Sequence, residues 1–395
     1  MSLNTKIYKF INKYFQFFRW AKKYDIIIID DTLPDIYSGF KIQEFQGYAH
    51  VFNSKIYCDL NCYKDGDVRK DYNKLFDEFS ENYPTSVLKF SPLKIFSNIN
   101  TKLAYCLFFN NIVRYYKYFG YHDVNFGYTL YPGGGLNIEN EQTKLKIKEI
   151  HSSKNFKFVI VNQKITKDYL IQNGLCDEEK IFYIHGTPIN YDYIVDIENK
   201  NWYKKNKNTF DIAFIAHKYI KGGTDKGLDV LLEAAEQLTC HYNFIKIHIV
   251  GNFDIEDIPL NCSSINITFH GTKPLSDFSE FFKDIDLVVS PNKPNILGQG
   301  FFDGFPLASS VLAGLHGIPL MLADELNQNI FFTDDIDFIY IKPNKNHVSE
   351  KLEALINNPK KLIEIGENGR LKLKNMHSYE NQISKRLEII KLFIK

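Results

Sequence analysis

The chain has 395 residues, 44% hydrophobic and 24% charged, with a formal net charge of +1. That length suits two domains of ordinary size, and the near-zero charge excludes a bulk field drawing the chain to nucleic acid. Six cysteines without a CxxC pair argue against a zinc site or disulfide framework and for a reducing cytoplasm; with no run of 18 apolar residues and no signal-peptide pattern, no membrane span is expected.

Thr5 to Lys23, TKIYKFINKYFQFFRWAKK, carries an apolar stripe (Ile7, Phe10, Ile11, Tyr14, Phe15, Phe18) and a basic complement (Lys6, Lys9, Lys13, Arg19, Lys22, Lys23). The spacing predicts an amphipathic helix. Two uses stand equal: lying on an anionic membrane surface, or packing on its own domain with a solvated basic face. DIIIID, Asp25 to Asp30, is the first buried strand. Ser38 and Gly39 then make a turn at its carboxyl side, ahead of a helix opening at Lys41, so this loop faces a cleft.

Residues 50 to 120 alternate short strands (HVFNSKIYC) with polar helical stretches (DVRKDYNKLFDEFSENY) and an aromatic helix, TKLAYCLFFNNIVRYYKYF. Val124 to Leu130 reads as a strand ending in Tyr131-Pro132-Gly133-Gly134-Gly135. Three glycines in a row let the backbone approach something closely, which makes this a second cleft loop. Helices over Glu139 to Ile150 and Lys164 to Asn173 alternate with strands over Phe156 to Asn162 and Lys180 to His185. The β-α-β alternation marks a doubly wound domain.

Ile189 to Asn208 is polar, lacks an apolar period and reads as a linker. A second alternation follows. Strands are expected over Phe210 to Ala216, Ile245 to Val250, Ile265 to Phe269, Ile285 to Asn292 and Phe338 to Ile341. Helices are expected over Gly227 to Leu238, Leu275 to Phe282 and Val348 to Ile356. Pro359 to Lys395 is helical and basic, broken near His377 and Ser378.

The second half holds the residues with chemistry. After the strand ending at Ala216, Lys218 and Lys226 flank Gly222-Gly223, and Asp225 can cap a helix whose first turn holds Lys226 and Gly227. Two lysines and the free N–H groups of a helix N-terminus, facing one point, suit a diphosphate. Gly251 follows the next strand, and His270-Gly271-Thr272-Lys273 the one after, so these loops share one crevice. In GQGFFDGFPLASSVLAGLHGIPL, Asp303 sits in a glycine-bearing loop after a buried strand, followed by Gly304, Phe305, Pro306 and Leu307. Pro306 falls in the first helical turn. That places an acid at the carboxyl end of a parallel strand, beside a helix N-terminus that favours phosphate. Asp284-Ile285-Asp286 and Asp335-Ile336-Asp337 fit the letters of a metal-binding DxD, but each adjoins a buried strand and reads better as turn and cap residues.

The order of these motifs resembles the GT-B glycosyltransferases, in particular family GT4, over nearly the whole chain. FIAHKYIKGGTDKGLDVLLEAA is similar to the family's strand, basic residue and helix. IHIVGN is similar to the strand near the phosphates, ITFHGT to the segment holding the base, and FDGFPLASSVLAGLHGIPLML to the acidic E-x7-E motif. FDGFP and KY…G.DKG resemble a subgroup of bacterial surface-polysaccharide enzymes. Asp303 stands where the family often has Glu, and its second Glu, which usually grips the ribose, falls at Val311 or Leu312. Tyr131-Pro132-Gly133 stands where the family often has His-Asp.

The resemblance implies an α/β fold of two Rossmann-like doubly wound domains facing a cleft. An acceptor-binding domain would span 1–188, a linker 189–208, a nucleotide-sugar domain 209–376 and a crossover helix 377–395. It implies sugar transfer from a nucleotide-diphosphate sugar to a glycan or lipid-linked glycan, with retention and without metal or other cofactor, in the cytoplasm at the inner face of the membrane. Asp303, Lys226 and Lys218 would carry the chemistry. Gly227, Gly251, Gly271, Thr272, Gly304, Phe305, Pro306 and Leu307 would line the donor site. Ser38, Gly39, Tyr131, Gly133, Gly134 and Gly135 would line the acceptor side. Two rival readings are a GT-B-like protein that binds nucleotide or glycan without turnover, and a glucan synthase or phosphorylase.

Overall fold

A computed structural model describes residues 22–395, apart from 95–96, 195–199, 260–261 and 263. Residues 5–21 of the expected amphipathic helix lie outside the described residues. The first half builds strands β1 (Tyr24–Asp30), β2 (Ser54–Cys58), β3 (Phe90–Pro92), β4 (Thr101–Leu107), β5 (Phe126–Leu130), β6 (Phe156–Val161) and β7 (Ile181–Tyr183). Helices α1 (Gly39–Val51), α2 (Tyr72–Asn82), α3 (Phe109–Tyr121), α4 (Glu141–His151) and α5 (Lys164–Gln172) connect them. All pairings are parallel, in the order β3-β2-β1-β4-β5-β6-β7.

The isoleucine run explains the double cover. Ile27 and Ile29 pack with Phe126 and Tyr128, whereas Ile26 and Ile28 pack with Ile42 and Phe45. Successive strand side chains point to opposite faces, so a strand apolar at every position needs a layer on both. The same effect overturns one expectation. TKLAYCL, read as the start of an aromatic helix, is β4, hydrogen-bonded between β1 and β5. Leu103 to Leu107 are wholly buried, so the polar alternation that marks a strand is missing. The helix begins only at Phe109.

The second half builds β8 (Phe210–Ile215), β9 (Ile245–Val250), β10 (Asn266–Phe269), β11 (Leu287–Ser290), β12 (Leu320–Ala323) and β13 (Ile339–Ile341). Its helices are α6 (Leu228–Thr239), α7 (Phe278–Phe281), α8 (Ala308–Leu315), α9 (Lys345–Asn357) and α10 (Pro359–Met376). This sheet is also parallel, in the order β10-β9-β8-β11-β12-β13. Within the polar stretch before β8, Trp202 and Tyr203 are buried in this sheet's core.

After α10 the chain breaks at His377 and Ser378, and α11 (Lys385–Phe393) crosses back to the first sheet. Ile383, Leu387 and Ile390 join the cluster of Ile26 and Ile28. Arg386 and Glu44 are both fully buried there. Glu44 accepts hydrogen bonds from the hydroxyls of Tyr48 (2.8 Å), Tyr105 (2.8 Å) and Tyr131 (2.7 Å). Arg386 donates to the Tyr131 hydroxyl at 3.1 Å. Deleting Glu44 or Arg386 alone leaves the other as an uncompensated buried charge, at about 3–5 kcal/mol.

The strand orders put a topological switch point between β1 and β4, and another between β8 and β11. In open α/β sheets the crevice outside the carboxyl ends of those strands takes the ligand. Loops from the two halves meet there. Asn137 Nδ2 donates to Gln299 O (2.9 Å), Ile138 N to Gly300 O (3.1 Å) and Gln163 Nε2 to Phe305 O (3.3 Å). Among the described residues, no helix is long and apolar enough to cross a membrane.

Candidate active site between the two sheets

The loop after β8 returns to α6 through Gly227. Its φ of 78° lies in the left-handed region, and a Cβ there would come within 2.1 Å of Pro291 O. Only glycine satisfies both demands. The turn drives Lys226 into the crevice, where it is 7% exposed. Its Nζ lies 2.5 Å from Asp303 Oδ2 and over the Tyr219 ring, 5.1 Å from its centroid. The Asp303 side chain keeps 30% of its surface. Gln328 Nε2 donates to Asp303 O at 3.0 Å.

Around Asp303 is a small cavity lined by Ser290, Asn292, Gly304, Leu322, Asp324 and Gln328. Asn292 Oδ1 and Gln328 Oε1 are buried there without a hydrogen-bond partner among the described residues. Both are acceptors, and buried acceptors normally find a donor. The cavity thus offers unspent acceptors beside a carboxylate, which suits a ligand rich in hydroxyl groups.

The other residues expected on the donor side divide. Gly304 touches the opposite half, where a Cβ would meet Gln163 Nε2 at 2.9 Å and Pro132 Cγ at 3.5 Å. Phe305 is buried against Phe332 and Phe338. Pro306 was expected in the first helical turn, but α8 starts at Ala308 after Leu307 in extended conformation. Gly251 lies under Ala216 O, 1.8 Å from where a Cβ would stand, and its N–H donates to Gly271 O at 2.9 Å. The loops after β8, β9 and β10 thereby run side by side, with Gly271 and Thr272 exposed at the edge.

Two expectations are corrected. Lys218 does not converge with Lys226: its Nζ is held by Asp257, which also accepts from Gly222 N (2.8 Å) and Asp254 N (3.0 Å). Asp225 does not cap α6. It accepts from Tyr219 N (3.2 Å) and Ile220 N (3.4 Å), and Gly227 is the cap residue. Both acids shape this loop from within, and the two lysines are held by different carboxylates, Lys218 by Asp257 and Lys226 by Asp303.

On the first half, Gly133, Gly134 and Gly135 all have positive φ. Gly133 and Gly135 open onto free space, while Gly134 lies on the Phe108 ring. Tyr131 was expected to line the cleft, but it points inward to Glu44 and Arg386. Ser38 is the cap residue of α1. The space beside Gly39 is filled by Leu275 of the other half, 2.3 Å from where a Cβ would stand, so this glycine serves domain contact. The two DxD letter matches are structural. Asp286 accepts from Tyr203 N (2.8 Å) and Asp211 N (2.9 Å), and Asp337 from Thr333 N (2.7 Å). No cluster of three or more metal-ligating side chains exists among the described residues.

Sequence reasoning missed Gln328 and Asn292, which line the cavity at Asp303 but carry no motif. His217 is pulled below its ordinary pKa by desolvation first, then by the positive charges of Arg69 and Lys226. Arg69, in the turn before α2, is itself paired with Asp67 at 2.9 Å and stands over the Tyr63 ring, 4.9 Å from its centroid.

No protein-family model and no curated protein matches the chain. Solved structures do match. HepE of Anabaena, in complex with UDP and glucose, is 13% identical, with 93% of this chain and 99% of that chain covered and a TM-score of 0.68. A glycosyltransferase from Rickettsia africae is 18% identical over 95% and 100%, TM-score 0.66. The sucrose-phosphate synthase of Thermosynechococcus elongatus is 13% identical over 94% and 99%, TM-score 0.61. Two parallel-sheet α/β domains facing a shared crevice, closed by a returning C-terminal helix, give this chain the GT-B fold of the glycosyltransferases.

Proposed function

We propose that the protein transfers a sugar from a nucleotide-diphosphate sugar to a glycan or lipid-linked glycan acceptor. The observation that carries this is the Lys226–Asp303 pair, 2.5 Å apart at the switch point of the second sheet and beside the triglycine loop of the first. Lys226 would neutralise the diphosphate as charge develops on it, a role aided by the N-termini of α6 and α8. Asp303 would hold sugar hydroxyls or balance positive charge at the anomeric centre, and the unspent acceptors Asn292 and Gln328 would take further hydroxyls. Charge made only in the transition state is what such groups stabilise selectively. The UDP and glucose in HepE support a donor of this class.

The finer reading is a GT4-type, retaining, metal-independent enzyme of bacterial surface-polysaccharide synthesis, working in the cytoplasm at the inner membrane face. It rests on the order of the sequence motifs. One observation favours a second reading, a GT-B protein that binds without turnover. Val311 and Leu312, at one of which the family's ribose-gripping Glu falls, are apolar residues of α8 only 1% and 6% exposed. A panel of UDP-, GDP- and ADP-sugars, assayed for release of the nucleoside diphosphate, separates the two. Release by the parent protein and loss of most of it in Lys226→Ala supports transfer. Nucleotide binding with no release from any sugar supports the second reading.

A further inference from the structure

The cleft loop of the first half is built from residues with little hold of their own. Gly133, Gly134 and Gly135 have φ of 84°, 54° and 81°, and glycine has more backbone freedom to lose than any other residue. Within the loop, Leu136 N donates to Gly133 O (3.0 Å) and Asn110 N to Gly134 O (2.8 Å). Its far end is tied to the second half by Asn137, which donates to Gln299 O. Its near end, Tyr131, stands one residue past β5 and is 3% exposed. Phe40 and Phe108 pack on the Tyr131 ring, each with its centroid 5.5 Å away, and two partners engage the hydroxyl.

Arg386 only donates, so the single hydroxyl hydrogen of Tyr131 goes to Glu44 Oε2 (2.7 Å) while its oxygen accepts from Arg386 Nη2 (3.1 Å). The other arm of the guanidinium is anchored close by: Nη1 donates to Gln382 O (2.9 Å) and Gln382 Oε1 (2.8 Å). Gln382, 1% exposed, lies in a π-helical turn, Glu380–Ser384, of the kind that recurs at functional sites. Its Nε2 donates to His185 O (2.7 Å), just past β7, and to Met376 O (3.0 Å), the last residue of α10. Both crossings between the halves, the returning helix and the root of the cleft loop are thus joined by one line of buried hydrogen bonds. Beyond Tyr131, Pro132 packs on Gly304, its Cγ 3.5 Å from where a Cβ would stand, and Gly304 adjoins Asp303.

We infer that Arg386 is a positioning residue for the proposed transfer: from the returning C-terminal helix it holds Tyr131, and through Tyr131 the Pro132–Gly135 loop, in place against the loop that carries Asp303. This rests on the transfer reading above. The Glu44–Arg386 pair and the two inner tyrosines, Tyr48 and Tyr105, would serve stability by themselves. The third hydroxyl, Tyr131, extends the set to the cleft. A displacement of a reacting group by about 1 Å can cost a hundredfold in rate, so a loop of glycines packed beside Asp303 gains from an anchor in the buried core.

Tyr131→Phe removes only the hydroxyl and keeps the ring packing. The full-length variant is compared with the parent by hydrogen–deuterium exchange, and by release of nucleoside diphosphate from whichever UDP-, GDP- or ADP-sugar the parent consumes. Amides of residues 133–138 should exchange about fivefold faster or more, the factor for one lost hydrogen bond, with β5 unchanged. The kcat should fall by about the same factor, while KM and the binding of free nucleoside diphosphate stay within about twofold. Glu44→Gln combined with Arg386→Met removes both charges together, so neither is left uncompensated, and should show the same pattern. Release by the parent with unchanged exchange or unchanged kcat in Tyr131→Phe overturns the inference alone. So does a fall in kcat matched by an equal loss of nucleotide-binding protein, which marks a purely structural role. No release from any sugar by the parent overturns the transfer reading and this inference with it.

Discussion

The two switch points carry the same chemistry in opposite states. At the first, Lys41 is 4% exposed and fully engaged by Asp30 Oδ2 (2.9 Å), Asp31 Oδ1 (3.2 Å) and Thr32 Oγ1 (2.8 Å). Asp30 Oδ1 also accepts from Thr32 N (2.8 Å) and Leu33 N (2.9 Å), and Asp31 Oδ2 from Asn110 Nδ2 (3.0 Å). At the second, Lys226 meets a single carboxylate, that carboxylate is partly open, and Asn292 and Gln328 keep free acceptors. An acid–lysine pair at a strand end is therefore not by itself a site. What separates structure from chemistry is whether the polar atoms are already spent on one another.

The largest effect should come from breaking the saturated pair. Lys41→Met leaves Asp30 and Asp31 buried without their cation and should cost about 3–5 kcal/mol in urea unfolding. The matching Lys226→Ala should move stability far less, because Asp303 can turn to water. Comparable losses at the two sites would break the contrast.

The glycines sharpen it. Gly227→Ala adds a strained φ and a contact with Pro291 O at 2.1 Å. It should destabilise by more than the ~1–2 kcal/mol of left-handed strain alone. Gly133→Ala, with the same φ sign but open space around it, should cost only that strain. Equal thermal shifts for the two would show that the loops after β8 and β11 are not tightly apposed.

Acid should probe the first switch point. Burial raises the pKa of Asp31, but Lys41, Asn111 and Asn110 bring it below its ordinary value. A folded value under the unfolded one, about 3.9, stabilises the protein above pH 4. That stability is lost as pH falls further, because the unfolded state takes up the proton first. Asp31→Asn should therefore flatten the fall in urea midpoint below pH 4, and an unchanged acid limb would contradict it. The smallest effect is expected from EDTA, since Lys226 and the helix N-termini are proposed to do a cation's work. Loss of transfer restored by magnesium or manganese would reverse that.

The contrast also shows what the sequence could and could not say. The second sheet was legible because its strands are bounded by glycine and proline and its loops carry motifs in family order. Asp303 and Lys226 were legible from their places at strand end and helix start. Lys218 was misread because its partner, Asp257, lies 39 residues away, across the loop after β9. Tyr131 was misread for the same reason: Glu44 and Arg386 come from distant helices. β4 was hidden by burial on both faces.

The central claim is that Asp303 serves the sugar rather than the fold, and Asp303→Asn tests it most directly. Asp303 caps no helix, since Leu307 is the residue before α8, so a merely structural role would lie in its ion pair with Lys226. Losing that pair would lower stability without slowing transfer by the folded protein. With the nucleotide-sugar that the parent consumes, the Asn variant should fold and bind the nucleoside diphosphate as the parent does. Its transfer should be slower by roughly a hundredfold, as for loss of one strong electrostatic contact. Transfer at the parent's rate would contradict the assignment.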